Sequence, residues 1–192
     1  NNDINRETNE PEAITEVPPK NEFNLKKEIL EWVSSILIAV VIALLLKNFV
    51  LVLVKVDGSS MVPTLHHGER LVVIRLGYKP QAGDIVIFNP PNGRDPYVKR
   101  VIGVGGQDIF IDNSTGKVYV DGEELDEPYI NNKTVSSVTQ FTVPPDHIFV
   151  MGDNRQNSHD SRNADVGFIS NDAVMGKAVF RIWPFSKVGL IK

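Results

Sequence analysis

The chain of 192 residues contains no cysteine. This absence excludes a disulfide scaffold, a zinc site built from thiolates and a cysteine nucleophile. The chain also lacks an excess of positive charge, because 20 Lys and Arg stand against 24 Asp and Glu, a formal net charge of −4. Nucleic-acid-binding domains commonly carry a basic face, so this balance argues against DNA or RNA as a partner. The length suffices for one packed domain and an additional segment, but not for two full domains.

Two enzyme motifs are also missing. No G-x-S-x-G nucleophile elbow occurs anywhere in the sequence, which argues against an α/β-hydrolase. The glycine-rich stretch 103–106 is not followed by Lys and then Ser or Thr, so it is not a phosphate-binding P-loop. The sequence shows no internal repeat.

The first part of the chain divides into a polar tail and an apolar run. Residues 1–25 are polar and acidic and contain Pro18-Pro19, a composition that predicts a flexible tail because little apolar surface is available for burial. The apolar run WVSSILIAVVIALLL follows at 32–46. With Ile29 and Leu30 it approaches the ~20 residues that a helix needs to span a bilayer. We therefore predict a transmembrane helix over 26–47, the alternative being a buried core helix of a soluble protein.

Lysines flank the apolar run unequally, with Lys20, Lys26 and Lys27 before it and Lys47 and Lys55 after it. This slight bias predicts a cytoplasmic amino end. Residues 48–192 are then expected outside the cytoplasm, attached by a single membrane pass. The apolar stretch 49–54 (FVLVLV) further predicts that the domain after the helix rests partly in the membrane interface.

Beyond residue 48 the pattern changes to short apolar segments separated by Gly, Pro, Asp and Asn, which is typical of β-strands. Long helical periodicity is missing there, so we predict a mostly β domain of antiparallel sheets. A short turn at 113–116 predicts a hairpin between two of its strands. The predicted strands are 49–56, 70–76, 84–88, 97–104, 108–112, 117–121, 147–151 and 173–183.

Three clusters carry residues suited to chemistry. The first is GSSMVPTL at 58–65, where two hydroxyls beside a glycine lie in a turn whose backbone amides can bind an anion. Taken alone, this segment is more typical of a Ser-rich turn that caps a short helix. The second is YVKRVIG at 97–103, where strand alternation puts Lys99 on the same face as Tyr97 and Val101. Apolar surroundings lower the pKa of a lysine and allow it to act as a base, whereas an ordinary strand lysine keeps its amine in water.

The third cluster is MGDNRQNSHDSR at 151–162, which is unusually dense in short polar and charged residues. Asp153 and Asp160 could pair with Arg155 and Arg162. A loop of this kind commonly supports a site rather than performing the chemistry, and the alternative is a solvated polar turn.

Together, SMVPTL, YVKRVIG and GDNRQNSHDSR behind an amino-terminal apolar segment resemble the successive motifs of type I signal peptidases, in their Gram-positive form. The resemblance covers residues 26–186 and implies a mostly β catalytic fold with a Ser-Lys dyad and no metal or cofactor. It implies Ser60 as the nucleophile, Lys99 as the general base and Ser158 as a holder of the lysine amine. It further implies a structural ion pair of Asp160 with Arg162, and with Arg100 as well. The implied substrates are precursor proteins cut after small residues, as in Ala-x-Ala sites.

Two positions depart from the family pattern. Family members often carry Leu-Pro-Gly-Asp after the lysine strand, where this chain has Val104-Gly-Gly-Gln107 followed by Asp108. Some members also carry a hydroxyl two residues before the nucleophile, and this chain has Gly58 there. The backbone amide of Ser60 is then the expected oxyanion donor, with the second donor left open.

Two other functions remain as alternatives. A Ser-His-Asp hydrolase would use one of four histidines, His66, His67, His147 or His159. A membrane-tethered β-rich binding module would need neither Ser60 nor Lys99. A self-cleaving repressor, which also uses a Ser-Lys pair, is disfavoured because the chain lacks a pair of DNA-binding helices.

Overall fold

The structure, a computed structural model, describes residues 25–45 and 51–191. Within these ranges the chain forms one α-helix, α1 (Leu25–Leu45), twelve β-strands and two 3₁₀ turns, Asn171–Ala173 and Phe185–Lys187. The strands are β1 (Leu51–Lys55), β2 (Arg70–Ile74), β3 (Ile85–Phe88), β4 (Tyr97–Val104), β5 (Asp108–Asp112), β6 (Lys117–Val120), β7 (Glu123–Glu124), β8 (Gln140–Thr142), β9 (His147–Met151), β10 (Ile169–Ser170), β11 (Val174–Trp183) and β12 (Gly189–Leu190).

Helix α1 is built mainly from apolar residues, and the apolar side chains that the structure describes are exposed. The hydroxyls of Ser34 and Ser35 donate to the carbonyl oxygen of Glu31 at 2.8 Å, which satisfies both groups within the helix. Among the residues that the structure describes, no helix is long and apolar enough to cross a membrane. The predicted segment 26–47 is thus a helix as far as Leu45, but it is not identified as a membrane span. The predicted tail, except for Leu25, lies outside the described residues.

Two antiparallel sheets make up the remainder. The larger sheet has the strand order β1-β2-β11-β3-β4-β9-β10, with β12 paired to β11. The smaller sheet has the order β7-β6-β5-β8. The eight predicted strands all form with small changes at their ends, and residues 49–50 of the first lie outside the described part of the chain. The predicted hairpin is confirmed because β5 pairs with β6 from Ile109–Val120 to Asp112–Lys117.

The larger sheet is buried on both faces in its centre. Successive side chains of β3 alternate between two apolar clusters, with Ile85 and Ile87 in one and Val86 and Phe88 in the other. This alternation follows the period of two in a β-strand. Strand β4 lies between β3 and β9, and its side chains are almost all buried because apolar clusters cover both faces of the sheet there. A polar residue on β4 is therefore held in an apolar setting.

Candidate active site

Ser60 lies in the turn between β1 and β2. Gly58 has φ +84°, a conformation that L side chains rarely adopt, and it directs the chain into this turn. The side chains of Met61 and Leu65 are fully buried in the core of the larger sheet. The turn is closed by a hydrogen bond from the Leu65 N–H to the Met61 carbonyl at 2.8 Å. Burial of these two apolar residues fixes the turn and leaves Ser60 at its half-buried edge.

Lys99 projects from β4 toward this turn. Its Nζ lies 2.8 Å from the Ser60 Oγ and 3.0 Å from the carbonyl oxygen of Val98. Only 4% of Lys99 is exposed. Ser60 and Lys99 are 39 positions apart in the sequence, so the fold brings the two predicted residues into direct hydrogen-bonding contact.

The environment of Lys99 favours a neutral amine. Burial lowers its pKa from 10.5 to about 8, and the negative charges of Asp160 and Asp153 oppose this effect without reversing it. The ring of Tyr97 lies 4.9 Å from Nζ and favours the cation through its π face. Lys99 is thus about half neutral near pH 8, which suits it to accept a proton from a hydroxyl.

The backbone around Ser60 is held by the polar loop, residues 152–162. The Asn154 N–H donates to the Ser60 carbonyl at 3.0 Å, and the Asn154 side-chain amide donates to the Ser59 carbonyl at 3.1 Å. The amide of Asn157 donates to the Ser59 hydroxyl at 2.9 Å. Asn154 and Asn157 therefore hold Ser59 and Ser60 in place.

Asp160 and Arg162 form a buried bidentate ion pair inside the polar loop. The Nε and Nη2 of Arg162 lie 2.8 Å from the two carboxylate oxygens of Asp160, which is fully buried. Burial raises the pKa of Asp160, but its hydrogen bonds and charge contact with Arg162 and its bond from the Gly152 N–H lower it more, so the net shift is downward. This pair stabilises the loop internally. The Gly152 N–H also donates a 3.0 Å hydrogen bond to a carboxylate oxygen of Asp160.

Arg100 is paired with Asp153, whereas the family resemblance linked it to Asp160. Its Nε and Nη2 donate to the two oxygens of Asp153 at 2.9 and 2.8 Å, and both residues are buried. Asp153 also accepts a 2.5 Å hydrogen bond from the hydroxyl of Thr64, which lies in the same turn as Ser60. Asp153 therefore joins β4 to this turn, a role that its position in the sequence does not reveal.

Ser158 does not bind the Lys99 amine in the described structure. Its Oγ is buried and makes no hydrogen bond to Lys99, and its contact with Asp160 helps to lower the pKa of that carboxyl. It lies instead against Gly152, since a Cβ on Gly152 would clash with the Ser158 hydroxyl and with the Ser60 carbonyl oxygen. Gly152 is thus a site residue that sequence reasoning did not single out, although its place at the start of the polar loop is a signal for close packing.

A backbone donor for an oxyanion is available at Ser60. Its N–H makes no hydrogen bond within residues 51–191, so it is free to bind a ligand. The Gly58 N–H instead donates to the Nδ1 of His67 at 3.2 Å.

None of the histidines in the described chain hydrogen-bonds to Ser60. His159 borders the cleft that contains Ser60 and Lys99, but its Nε2 lies 2.9 Å from a carboxylate oxygen of Asp165. The Nδ1 of His67 lies 3.0 Å from a carboxylate oxygen of Asp57, and the Nδ1 of His147 lies 2.8 Å from the carbonyl oxygen of Pro145. The described residues also contain no group of acidic or histidine side chains arranged to hold a metal ion.

Ser60 and Lys99 open into a cleft of about 350 Å³. Two strand edges border it, because β1 pairs only with β2 among the described strands and the pairing of β4 with β9 begins at Arg100. The segments Val54–Val56 and Tyr97–Lys99 line the cleft. An extended peptide can add to such edges through its main chain.

A family model described as signal peptidase, peptidase S26, matches residues 29–183. The chain is 40% identical over 184 residues to signal peptidase IB of Staphylococcus aureus, covering 85% of this chain and 94% of that protein. It is 36% identical to a probable signal peptidase I-2 of Synechocystis, covering 92% and 80%. A crystal structure of a signal peptidase I from Enterococcus faecalis matches with a TM-score of 0.44 and 31% identity, covering 52% of this chain and 97% of that one. The region matched by the family model contains every residue of the site described above.

Proposed function

The chain belongs to the S26 family of signal peptidases, and we propose that it removes signal peptides as a serine endopeptidase with Ser60 as nucleophile and Lys99 as general base. The observation that carries this proposal is the 2.8 Å contact between the Ser60 hydroxyl and the amine of a buried lysine. A nucleophile in hydrogen-bonding reach of its base is the arrangement that covalent catalysis requires.

The reaction proceeds in two stages. Neutral Lys99 takes the proton of the Ser60 hydroxyl while Oγ attacks the scissile carbonyl carbon, and the resulting tetrahedral oxyanion accepts a hydrogen bond from the Ser60 N–H. When the C–N bond breaks, protonated Lys99 gives its proton to the leaving amine and an acyl-enzyme remains. A water molecule then attacks the ester with Lys99 again as base, which releases the signal peptide and restores Ser60.

The supporting residues set the geometry rather than touch the reacting atoms. Asp160 with Arg162, and Asp153 with Arg100, neutralise one another in pairs, so that their net field at Lys99 is smaller than that of free carboxylates. Gly58 lines the cleft beside Ser60, and Ser158 packs against Gly152. We assign no oxyanion role to a side chain at residue 58, since glycine has none.

The substrate segment is an exported precursor cut after small residues, as at Ala-x-Ala sites. It binds extended against the edges of β1 and β4, where main-chain bonds give affinity and alternate side chains enter the cleft. Val56 and Met61 line the cleft beside Ser60. A larger side chain next to the scissile bond would press against these apolar walls and overpack them.

We further propose that α1 anchors the chain in the bacterial cytoplasmic membrane with its amino end cytoplasmic and residues 48–192 outside. The apolar side chains of α1 are exposed on all sides, as expected of a helix that meets lipid. The apolar sequence also continues through Leu46.

The test is cleavage of an exported precursor with an Ala-x-Ala site by the full-length protein. Ser60→Ala and Lys99→Ala should each abolish cleavage while retaining the circular dichroism spectrum, and Lys117→Ala, an exposed lysine on β6, serves as the control. Cleavage surviving in Lys99→Ala would move the base to a histidine such as His159. Cleavage surviving in Ser60→Ala would exclude the serine mechanism.

A further inference from the structure

The clamp segment, residues 127–138, connects β7 to β8 and belongs to neither sheet. Connections of this length without regular structure are uncommon in compact domains and usually serve a function. The segment is tied down at Asn113, whose side chain bonds with Ser136 at 2.9 and 3.0 Å. The Thr134 side chain is fully buried. The clamp segment is thus a fixed structure, although no strand ladder holds it.

Every arginine that supports the site contacts the clamp segment. The ring of Tyr129 lies 3.8 Å from the guanidinium carbon of Arg100. Arg155, fully buried, forms an ion pair with Glu127 and donates to the Thr134 hydroxyl at 2.5 Å. The Arg162 guanidinium donates to the carbonyl of Val135 at 3.1 Å.

These arginines act directly on the parts that hold Ser60 and Lys99. Arg100 follows Lys99 in β4 and binds Asp153. Arg155 donates to the Gly152 carbonyl at 3.1 Å. Arg162 binds Asp160, which fixes the Gly152 N–H. The N–H and the carbonyl of Gly152 are therefore both hydrogen-bonded to side chains whose orientation depends on the clamp segment.

The clamp segment also reaches the asparagine that holds the nucleophile backbone. The side-chain amide of Asn132 donates to the Asn154 side-chain oxygen at 3.2 Å. This bond fixes the orientation of the Asn154 amide, whose nitrogen then faces the Ser59 carbonyl.

We propose that the clamp segment is a positioning element of the catalytic centre, with Tyr129 as its main positioning residue through its ring over Arg100. This inference rests on the proposed Ser60–Lys99 mechanism. None of the clamp residues touches the reacting atoms, so a substitution in the clamp segment acts on Ser60 and Lys99 only through the residues between them.

The expected signature of a positioning role is a change in the pH profile. The charged groups that act on Lys99 from the polar loop and from β4 are Asp153 and Asp160 with their partners Arg100 and Arg162. The titratable side chains of Lys55, Asp57 and His159 also line the cleft that Lys99 borders. Without the Tyr129 ring, Arg100 is less firmly held on Asp153. The negative charge of Asp153 then acts more strongly on Lys99 and raises its pKa. The acid limb of kcat/KM should therefore move to higher pH, an effect that a general loss of stability would not produce.

The experiment compares Tyr129→Leu with Tyr129→Phe in the full-length protein, using a precursor peptide with an Ala-x-Ala site. Tyr129→Leu should lower kcat by about tenfold with KM unchanged, because small displacements of reacting groups are costly, and should shift the acid limb upward. Tyr129→Phe keeps the ring over Arg100 and should restore both values. Tyr119→Leu, which removes a ring of the smaller sheet stacked on Phe110, is the matched control and should leave both unchanged.

An unchanged kcat and acid limb in Tyr129→Leu, with only a lower melting temperature, would overturn the inference. Should that variant fail to fold, Asn132→Ala replaces it, since it removes only the bond to Asn154. A lower kcat then supports the clamp and a wild-type kcat rejects it. Ser60→Ala in the same assay separates the two claims, because activity in that variant refutes the proposed mechanism, whereas activity lost there but intact in Tyr129→Leu refutes the clamp alone.

Discussion

Burial of Lys99 lowers the stability of the fold and at the same time keeps more of its amine in the neutral form that can accept a proton. A fall of its pKa from 10.5 to about 8 corresponds to roughly 3 kcal/mol of destabilisation relative to an unperturbed lysine. The sign follows from the lowered value, because the unfolded chain binds the proton more tightly than the folded one. The penalty is fully present below pH 8 and disappears as the pH rises toward 10.5. The fold tolerates this cost because an unprotonated amine is what the proposed mechanism needs.

Gly152 has no room for a side chain. In Gly152→Ala the new methyl group would occupy the space of the Ser158 hydroxyl and the Ser60 carbonyl. We expect a loss of ~1–3 kcal/mol in the free energy of unfolding from overpacking and a fall in kcat of up to ~100-fold from displacement of Ser60. Chemical denaturation and peptide cleavage measure the two effects.

Gly189→Ala provides the control for this substitution, because a Cβ there meets nothing within 4 Å. Wild-type kcat in Gly152→Ala would contradict the close packing of the polar loop against the nucleophile.

At the scale of elements, the sequence predicts the strands that are longer apolar segments bounded by turn residues, and it misses the short ones. Segments such as 97–104 and 108–112 match β4 and β5 residue for residue, because Gly, Pro, Asp or Asn lies at or next to their ends. Strands β7, β8, β10 and β12 have two or three residues each, too few for any period to appear. Pairing partners and register depend on contacts distant in the sequence, which explains why the neighbourhood of β11 with β2 and β3 was not predicted.

The same limit applies to the site. The motifs around Ser60, Lys99 and Asp160 can be recognised locally, and the structure brings Ser60 and Lys99 together. The pairing of Arg100 with Asp153 and of Arg155 with Glu127 could not be predicted, since any nearby carboxylate satisfies the same pattern of charge. The clamp segment has no motif at all, so only its contacts in three dimensions reveal its place.

The free edges of β1 and β4 predict that substrate binds through its main chain. A precursor peptide N-methylated on an amide within the three residues before the scissile bond should lose about tenfold in kcat/KM, the equivalent of one lost hydrogen bond of ~1.4 kcal/mol. Methylation at each amide in turn, followed by cleavage assays, locates the bonded positions. A peptide series in which no methylation matters would argue against strand addition.

At the scale of the whole molecule, large apolar residues are exposed on and beside strands β1 and β12 of the larger sheet. Leu53 of β1 is 68% exposed, Leu190 of β12 is 73% exposed, and Phe185 in the turn before β12 is 78% exposed. Their strands are joined through β2 and β11. Exposed apolar groups of this size, on a domain with the proposed membrane anchor, are suited to the lipid interface.

We therefore expect a protein lacking residues 1–47 to bind vesicles of anionic phospholipid and to cleave peptides faster when they are present. Phe185→Ser combined with Leu190→Ser should weaken vesicle sedimentation, while Val135→Ser, at an exposed position of the clamp segment, should not. Equal activity with and without lipid or detergent would contradict an interfacial role.

The most direct test of the Ser60–Lys99 mechanism is the pH dependence of kcat/KM for peptide cleavage by the full-length protein. Protonated Lys99 cannot accept the serine proton, so activity should rise with pH along a single limb whose pKa is about 8. Such a limb, together with inactivity of Lys99→Ala at every pH, is the predicted result. An acid limb with a pKa of ~6.5, the ordinary value of histidine, would contradict the account if it persisted in Lys99→Ala.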